Sequence, residues 1–391
     1  MHLAITAARL WVGSRHLDHP IIEIEDARIA SIRTREDAEA SGSAQLLDFP
    51  TATLAPSYFD VHIHGSNGHD VMEATPQALA AIGSFLAGRG TAQYLATTVT
   101  APLDPTLRAL AGLAQLMRDS TPNGAPASRP IGIHLEGPFL SHSKRGVHPP
   151  VHLQTPDIPL FDRFFEAAEG HVRLMTLAPE LPGAAELTAH ATARGVRVSL
   201  GHSNATAAET RAVIAAGAVS ATHTFNAMRP LDHREPGILG VVLTDDSLFA
   251  ELICDGIHTA PELARLWARA KGPQLGILVT DAMSAAGMPD GEYQLGGFSV
   301  QVADGRATAN GVLAGSVLTL DRALANYLRF TAASLDQALP LVTTNPATMT
   351  GFGSLAGTLA VGQPANLVAL DPDGSLCASF INGQPADLPT R

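Results

Sequence analysis

Residues 60 to 65 read DVHIHG, placing His62 and His64 on either side of one isoleucine at the end of an apolar run that begins at Tyr58. Side chains two apart on a strand leave the same face, about 6.6 Å from one another along the chain, so the pair can grip one ion together. Alone, an HxH pattern is equally compatible with two histidines in a barrel core. Its company decides between the two readings. HLEGPF (134 to 139), LGHSN (200 to 204), THTFNA (222 to 227) and LVTDAM (278 to 283) each close another apolar run, and at the run ends the five stretches supply five histidines and the two carboxylates Glu136 and Asp281. In a parallel barrel all strands end on one face, so residues far apart in sequence meet there if each sits at a strand C-terminus.

Working outward from DVHIHG, eight apolar segments span residues 58–65, 92–100, 130–137, 171–179, 196–203, 218–226, 248–256 and 276–283. Between them lie stretches of helical apolar spacing, including 75–90, 184–195 and 204–218, which end at or near glycine as helices often do. Asn204 is a plausible N-cap for the last of these. The alternation predicts an α/β fold of the (β/α)8 TIM-like barrel type over residues 55–350. Residues 1–54 and 351–391 instead carry short alternating runs separated by Gly, Pro and Asp turns. Neither end has enough apolar residues for its own core, so the two are expected to pair into one small β-sandwich. The polar interval 117–130 reads as a surface loop.

The chain has 391 residues, of which 46% are hydrophobic, and no apolar stretch approaches the roughly 18 to 20 residues that span a bilayer. The N-terminus lacks a basic leader followed by an apolar segment and cleavage site, so a cytoplasmic protein with no membrane partner is expected. The formal charge of −12 argues against a nucleic-acid partner, which needs a basic face. Cys254 and Cys377, the only two cysteines, are too few for a disulfide framework or a Cys-based zinc site and are expected to be buried thiols. Lysine occurs only as Lys144 and Lys271, leaving almost no candidate for a carbamylated lysine bridging two metals; a carboxylate must do that work.

On the third strand His134 and Glu136 repeat the two-residue spacing, but Glu136 lies nearer the strand end. It is the candidate ligand, with His134 a satisfied residue in the layer beneath. Glu136, His202 and His223 then form a set of three N and O ligands with an open position, as a catalytic zinc or similar borderline ion requires. An ion in such a site lowers the pKa of a bound water from about 15.7 to roughly 7. Asp281 at the end of the eighth strand can take a proton from that water and pass it to a leaving amine. A lone strand-end aspartate more often caps a helix or forms a salt bridge; the histidines favour the catalytic role.

The phrases HLEGPFL (134–140), KRGVHPP (144–150), GHSNAT (201–206), HTFNAMRPLDHREPGILG (223–240), CDGIHT (254–259), TDAMSAAG (280–287) and LAGSVLTLD (313–321) give the chain a further identity. In that order and spacing, nearly end to end, the sequence resembles the N-acetylglucosamine-6-phosphate deacetylases of the amidohydrolase superfamily. The resemblance implies Glu136, His202 and His223 as ligands of an essential divalent metal. His62 and His64 would add a second ion bridged by Glu136. Zinc leads among the candidate ions, with iron, manganese or cobalt as alternatives, one or two per subunit. His148 would contact the sugar and help polarise the acetyl carbonyl. Asn226 and the Ala227 backbone would meet the phosphate, with Arg234 and His258 supplying positive charge. Part of the phosphate pocket comes from a neighbouring subunit in this family, so a homodimer is implied.

Arg234 also suits phosphate on chemical grounds, since guanidinium presents a bidentate fork; the alternative is a simple pairing with Asp232 or Glu235. Leu313, Ala314 and Gly315 are expected to line the sugar site through backbone groups. The expected reaction is metal-dependent hydrolysis of the acetamide of a small phosphorylated amino sugar, N-acetyl-D-glucosamine 6-phosphate, to D-glucosamine 6-phosphate and acetate. The alternatives are the galactosamine epimer, an unphosphorylated sugar, or a silent scaffold.

Overall fold

A computed structural model describes residues 2–13, 16–36, 45–119 and 125–388. Eight parallel strands, Tyr58–Ile63, Thr91–Thr98, Arg129–Glu136, Val172–Leu177, Arg197–Leu200, Ser220–Ala221, Phe249–Ile253 and Gly276–Val279, pair in sequence order. The barrel closes between the eighth strand and the first. There the His64 N–H donates to the Ala282 carbonyl at 2.8 Å and the Asp281 N–H to the His62 carbonyl at 2.9 Å. This is the expected (β/α)8 barrel. Its strands are buried on both faces, the inner side chains filling the barrel and the outer ones meeting helices, so they read as apolar runs rather than alternating ones.

The strands stop earlier than the apolar runs suggest. His202, His223 and Asp281 lie just beyond their strands with φ of 48°, 26° and 49°. Left-handed backbone is uncommon outside glycine and concentrates at functional sites. Here it ends each strand and turns the following side chain over the barrel mouth.

Thr75 caps the first barrel helix, Pro76–Ala87, by accepting the Ala78 N–H at 3.2 Å, with proline at the first helical position. The helix expected from Asn204 starts later, at Ala207–Ala215. Its cap is Thr206, which forms a reciprocal capping box with Glu209, while the Asn204 N–H goes to Glu180 at 2.7 Å. The interval read as a loop is helical through Asp119, the end of the helix Leu103–Asp119; residues 120–124 lie outside the described residues.

Two features differ from a plain barrel flanked by β-meanders. The chain ends, expected to pair into one small β-sandwich, pair in one continuous eight-stranded sheet. Strand Gln45–Pro56 joins them, running parallel to His2–Trp11 on one side and antiparallel to Leu367–Leu370 on the other. Ile5, Leu10, Ile22, Leu54, Leu367 and Phe380 lie in its core, and Ser57 alone separates it from the first barrel strand. Second, a four-stranded antiparallel sheet, Gly291–Leu295, Phe298–Ala303, Arg306–Ala309 and Val312–Leu313, is inserted after the eighth strand. It packs Val300, Val302 and Ala307 against Val99, Met283 and Ala285 at the barrel mouth. Of the two cysteines, Cys254 is fully buried, whereas Cys377 is only half-buried in the terminal sheet. Among the described residues no helix is long and apolar enough to cross a membrane.

Candidate active site

The barrel mouth opens into a cavity of about 370 Å³ lined by residues that include His64, Glu136, His148, His202, His223 and Asp281. Glu136 stands at its centre. One carboxylate oxygen, Oε1, lies 3.0 Å from His223 Nε2, 3.2 Å from His202 Nε2 and 3.4 Å from His62 Nε2. The other, Oε2, lies 3.2 Å from His64 Nε2 and 3.5 Å from His148 Nε2. Asp281 Oδ1 completes the ring, 3.1 Å from His64 and 3.5 Å from His62. His62, His64 and Glu136 offer one set of ligand atoms close enough to share an ion, and Glu136, His148 and His202 another.

The outer ring nitrogens separate ligands from donors. His64 Nδ1 lies 3.0 Å from the Thr97 carbonyl, His202 Nδ1 2.9 Å from the Lys144 carbonyl, and His62 Nδ1 3.3 Å from the Glu251 carboxylate. Carbonyl and carboxylate oxygens only accept, so each of these Nδ1 atoms carries the proton, and in the neutral ring Nε2 presents a lone pair to the centre. This is the arrangement that fixes metal-bound histidines. His148 is the reverse. Its Nδ1 accepts the Thr100 backbone N–H at 3.3 Å and sits 2.8 Å from the Thr100 hydroxyl, so its proton is on Nε2, facing the cavity. A neutral ring held this way donates a hydrogen bond inward and offers no lone pair to an ion. Glycine at 137 makes the contact possible, since a Cβ there would lie 2.1 Å from the Thr100 hydroxyl.

Whether the centre suits a divalent ion follows from its electrostatics. The Nε2 atoms of His202 and His223 lie 3.1 Å apart and both face Glu136 Oε1, a convergence of ligand atoms that suits a cation. The fully buried His62 Nε2 has no hydrogen-bond partner among the described residues. Burial opposes a charge on His64, but its hydrogen bonds to Asp281 and Glu136 raise its pKa to about 9; burial pulls His202 down to about 4. Burial alone would raise Glu136 and Asp281, yet the surrounding histidines, His62 first, hold both below the usual carboxylate range. Two ionised carboxylates among five histidine Nε2 atoms fit a bound divalent metal. His134 lies fully buried beneath, 2.8 Å from the Thr176 hydroxyl, and burial keeps it neutral by lowering its pKa well below 6.5.

At the outer part of the cavity the lining includes Asn226, Ala227, His258, Leu313 and Gly315. Burial works against a charge on His258, but Asp255, 2.6 Å from Nδ1, outweighs it and raises the pKa. Two expected residues are elsewhere. Arg234 is exposed on the loop after Met228 and does not line the cavity; its backbone N–H donates to Asp232 Oδ1 at 2.9 Å. Ala314 turns away into the core of the inserted sheet, because successive residues there face opposite ways.

Three contributors escaped the sequence reading. Thr100 fixes His148. Asp60, fully buried, accepts the Thr280 hydroxyl at 2.6 Å beside Asp281, and burial raises its pKa to about 7. Glu251, fully buried within the seventh strand, touches His62 and accepts the His223 backbone N–H at 3.3 Å. The signal for Glu251 was one acid in the otherwise apolar run LFAELIC.

The model of the Amidohydrolase family matches residues 53–387. N-acetylgalactosamine-6-phosphate deacetylase of Escherichia coli O157:H7 is 37% identical, the match covering 98% of this chain and 99% of that one. N-acetylglucosamine-6-phosphate deacetylase of Vibrio furnissii is 33% identical over 97% and 93% of the two chains. A mutant N-acetyl-D-glucosamine-6-phosphate deacetylase from Mycobacterium smegmatis, solved in complex with N-acetyl-D-glucosamine-6-phosphate, superposes with a TM-score of 0.90 at 35% identity over 98% of this chain and 99% of its own. The family model and relatives matched over nearly the full length agree, and the chain belongs to the amidohydrolase family.

Proposed function

We propose that the protein hydrolyses the acetamide of N-acetyl-D-glucosamine 6-phosphate, releasing acetate and D-glucosamine 6-phosphate. The observation that carries this reading is the opposed tautomers around Glu136: lone-pair nitrogens of His62, His64 and His202 facing an ion, and the Nε2–H of His148 facing a substrate. A divalent ion, zinc in this reading, held by Glu136, His202 and His223 with His62 and His64 for a second, supplies a Lewis acid that polarises the amide carbonyl and acidifies the attacking water. Asp281 is the base that takes the water's proton and then the acid that delivers it to the departing nitrogen. The His148 Nε2–H donates to the carbonyl oxygen as negative charge develops there.

At the far end of the cavity, cationic His258 and the amide of Asn226 suit phosphate, and Leu313 and Gly315 bound the sugar. Arg234 is exposed together with Leu231 and His233; in this reading it enters the cavity of a second copy, so a homodimer is part of it. So is a cytoplasmic location, where phosphorylated sugars are retained.

The Escherichia coli relative supports a second reading in which the 4-epimer is the substrate. Acetate release from the two N-acetylhexosamine 6-phosphates and from unphosphorylated N-acetylglucosamine, with metal content measured before and after chelation, separates the cases. Metal-dependent turnover confined to the gluco phosphate is expected. A larger kcat/KM for the galacto phosphate would transfer the assignment to the epimer. Equal turnover of the unphosphorylated sugar would end the phosphate assignment.

A further inference from the structure

Glu251 is a charged residue in the least hospitable part of the molecule, its side chain entirely withdrawn from solvent inside the barrel. A buried carboxylate is costly unless it is partnered. Its partners are two residues of the metal centre, reached through a single oxygen: Oε2 lies 3.3 Å from His62 Nδ1 and 3.3 Å from the backbone nitrogen of His223. Among the described residues no lysine or arginine pairs with it; its side-chain partner is the His62 ring. The carboxylate therefore spans the first and sixth barrel strands and faces one candidate ligand of each ion.

We infer that Glu251 is a positioning residue that equips the site for a second metal ion, by holding His62 in the tautomer and orientation that turn its Nε2 lone pair on Glu136 and Asp281. This rests on the metal-dependent reading above. Without Glu251 the two His62 tautomers would differ little in energy, and the one protonated on Nε2 could hydrogen-bond Glu136, 3.4 Å away, in place of binding an ion. With it, Nδ1–H is committed, and Nε2 faces Glu136 and Asp281 at 3.4 and 3.5 Å without a hydrogen bond among the described residues. His64, turned by the Thr97 carbonyl, supplies the neighbouring lone pair. His202 is anchored by the Lys144 carbonyl, independently of Glu251, so the ion held by Glu136, His202 and His223 should depend on it far less.

The test is Zn2+ stoichiometry and affinity of the chelator-stripped full-length protein, read by titration calorimetry and elemental analysis. Two ions per chain are expected for the wild type and one for Glu251→Leu. Glu251→Gln keeps an acceptor but loses the charge, and should bind the second ion about 10- to 100-fold more weakly, as expected for an outer-shell partner. Because Glu251 acts through His62, adding Glu251→Leu to His62→Leu should lower zinc affinity no further. A single ion on the wild type, unchanged affinity in the glutamine variant, or additive losses in the double variant would each overturn the inference. If the leucine variant fails to fold, the glutamine variant decides. Acetate release by the wild type reports on the deacetylase reading separately, since that reading stands with one ion or two.

Discussion

Thr100 and His148 meet at the rim of the cavity, where the Thr100 backbone N–H donates to His148 Nδ1 at 3.3 Å and the Thr100 hydroxyl lies 2.8 Å from the same nitrogen. The contact sets a division of labour among rings only a few ångströms apart, because it sends the His148 proton toward the substrate while its neighbours send lone pairs toward the ion. Removing the imidazole with His148→Ala should lower kcat by roughly 10²- to 10³-fold, the usual cost of an oxyanion donor, with zinc content unchanged. Thr100→Val deletes the hydroxyl and keeps the backbone donor. It should cost only about 1 kcal/mol of transition-state stabilisation, roughly five-fold in kcat, with KM little altered. Zinc loss in His148→Ala would instead make His148 a ligand.

Asp281 is held ionised by His62 and His64 and sits 3.1 Å from His64 Nε2, at the edge of the centre rather than its middle. Asp281→Asn preserves shape and removes the proton carrier. We expect zinc and sugar-phosphate binding to persist while kcat falls by about 10²- to 10⁴-fold, the range for general acid–base catalysis. Single-turnover acetate release measures this, and near-normal turnover would remove Asp281 from the mechanism.

The raised pKa of His64 makes the metal-free protein sensitive to pH in a definite direction. Its folded value of about 9 exceeds the ordinary 6.5, so the folded state holds a proton that the unfolded chain has lost between those values. The associated stability is complete below about 6.5 and is lost as pH rises through about 9. Stripped protein should therefore show a Tm that declines across that window. Apparent zinc affinity should climb over the same range, since the ion displaces that proton. His64→Asn should flatten the Tm decline. A stripped-protein Tm that rises from pH 6.5 to 9 would contradict the assignment.

What the sequence made legible, and what it hid, follow from where side chains sit relative to backbone. His62, His64, Glu136, His202, His223 and Asp281 were readable as a group because each stands where an apolar run stops, and a parallel barrel converts that position into a location. The inserted sheet was not, since GEYQL and FSVQVA are short half-buried strands whose alternation is easily taken for loop sequence after LVTDAM. Glu251 was hidden by the inverse of the first effect: it lies inside a run, where an acid reads as an interruption rather than a partner. Thr206 could have been preferred over Asn204 as a cap, because only Thr206 has a glutamate three residues on. Whose cavity Arg234 serves was not legible, because a phrase of sequence does not say whether its loop faces its own cavity or a neighbouring chain's.

The outward position of Arg234 gives the dimer reading its sharpest consequence. Within one chain the guanidinium does not line the cavity, whereas Lys144, His258, Asn226 and Ala227 do, so among the described residues a phosphate group meets no bidentate guanidinium there. If the arginine is supplied across a two-fold interface, each active site needs Asp281 from one chain and Arg234 from the other. Arg234→Ala alone should raise KM for the sugar phosphate by at least about ten-fold, the loss of a charge-assisted contact worth roughly 1.5 to 3 kcal/mol. Asp281→Asn alone should abolish turnover. Mixing the two variants and allowing subunits to exchange creates hybrid dimers in which one site has lost both residues and the other has regained both. Activity with a wild-type KM should then return, approaching a quarter of the wild-type rate per subunit as exchange approaches statistical proportions. An arginine acting within its own chain gives no such recovery, because every site in the hybrid would still lack one of the two.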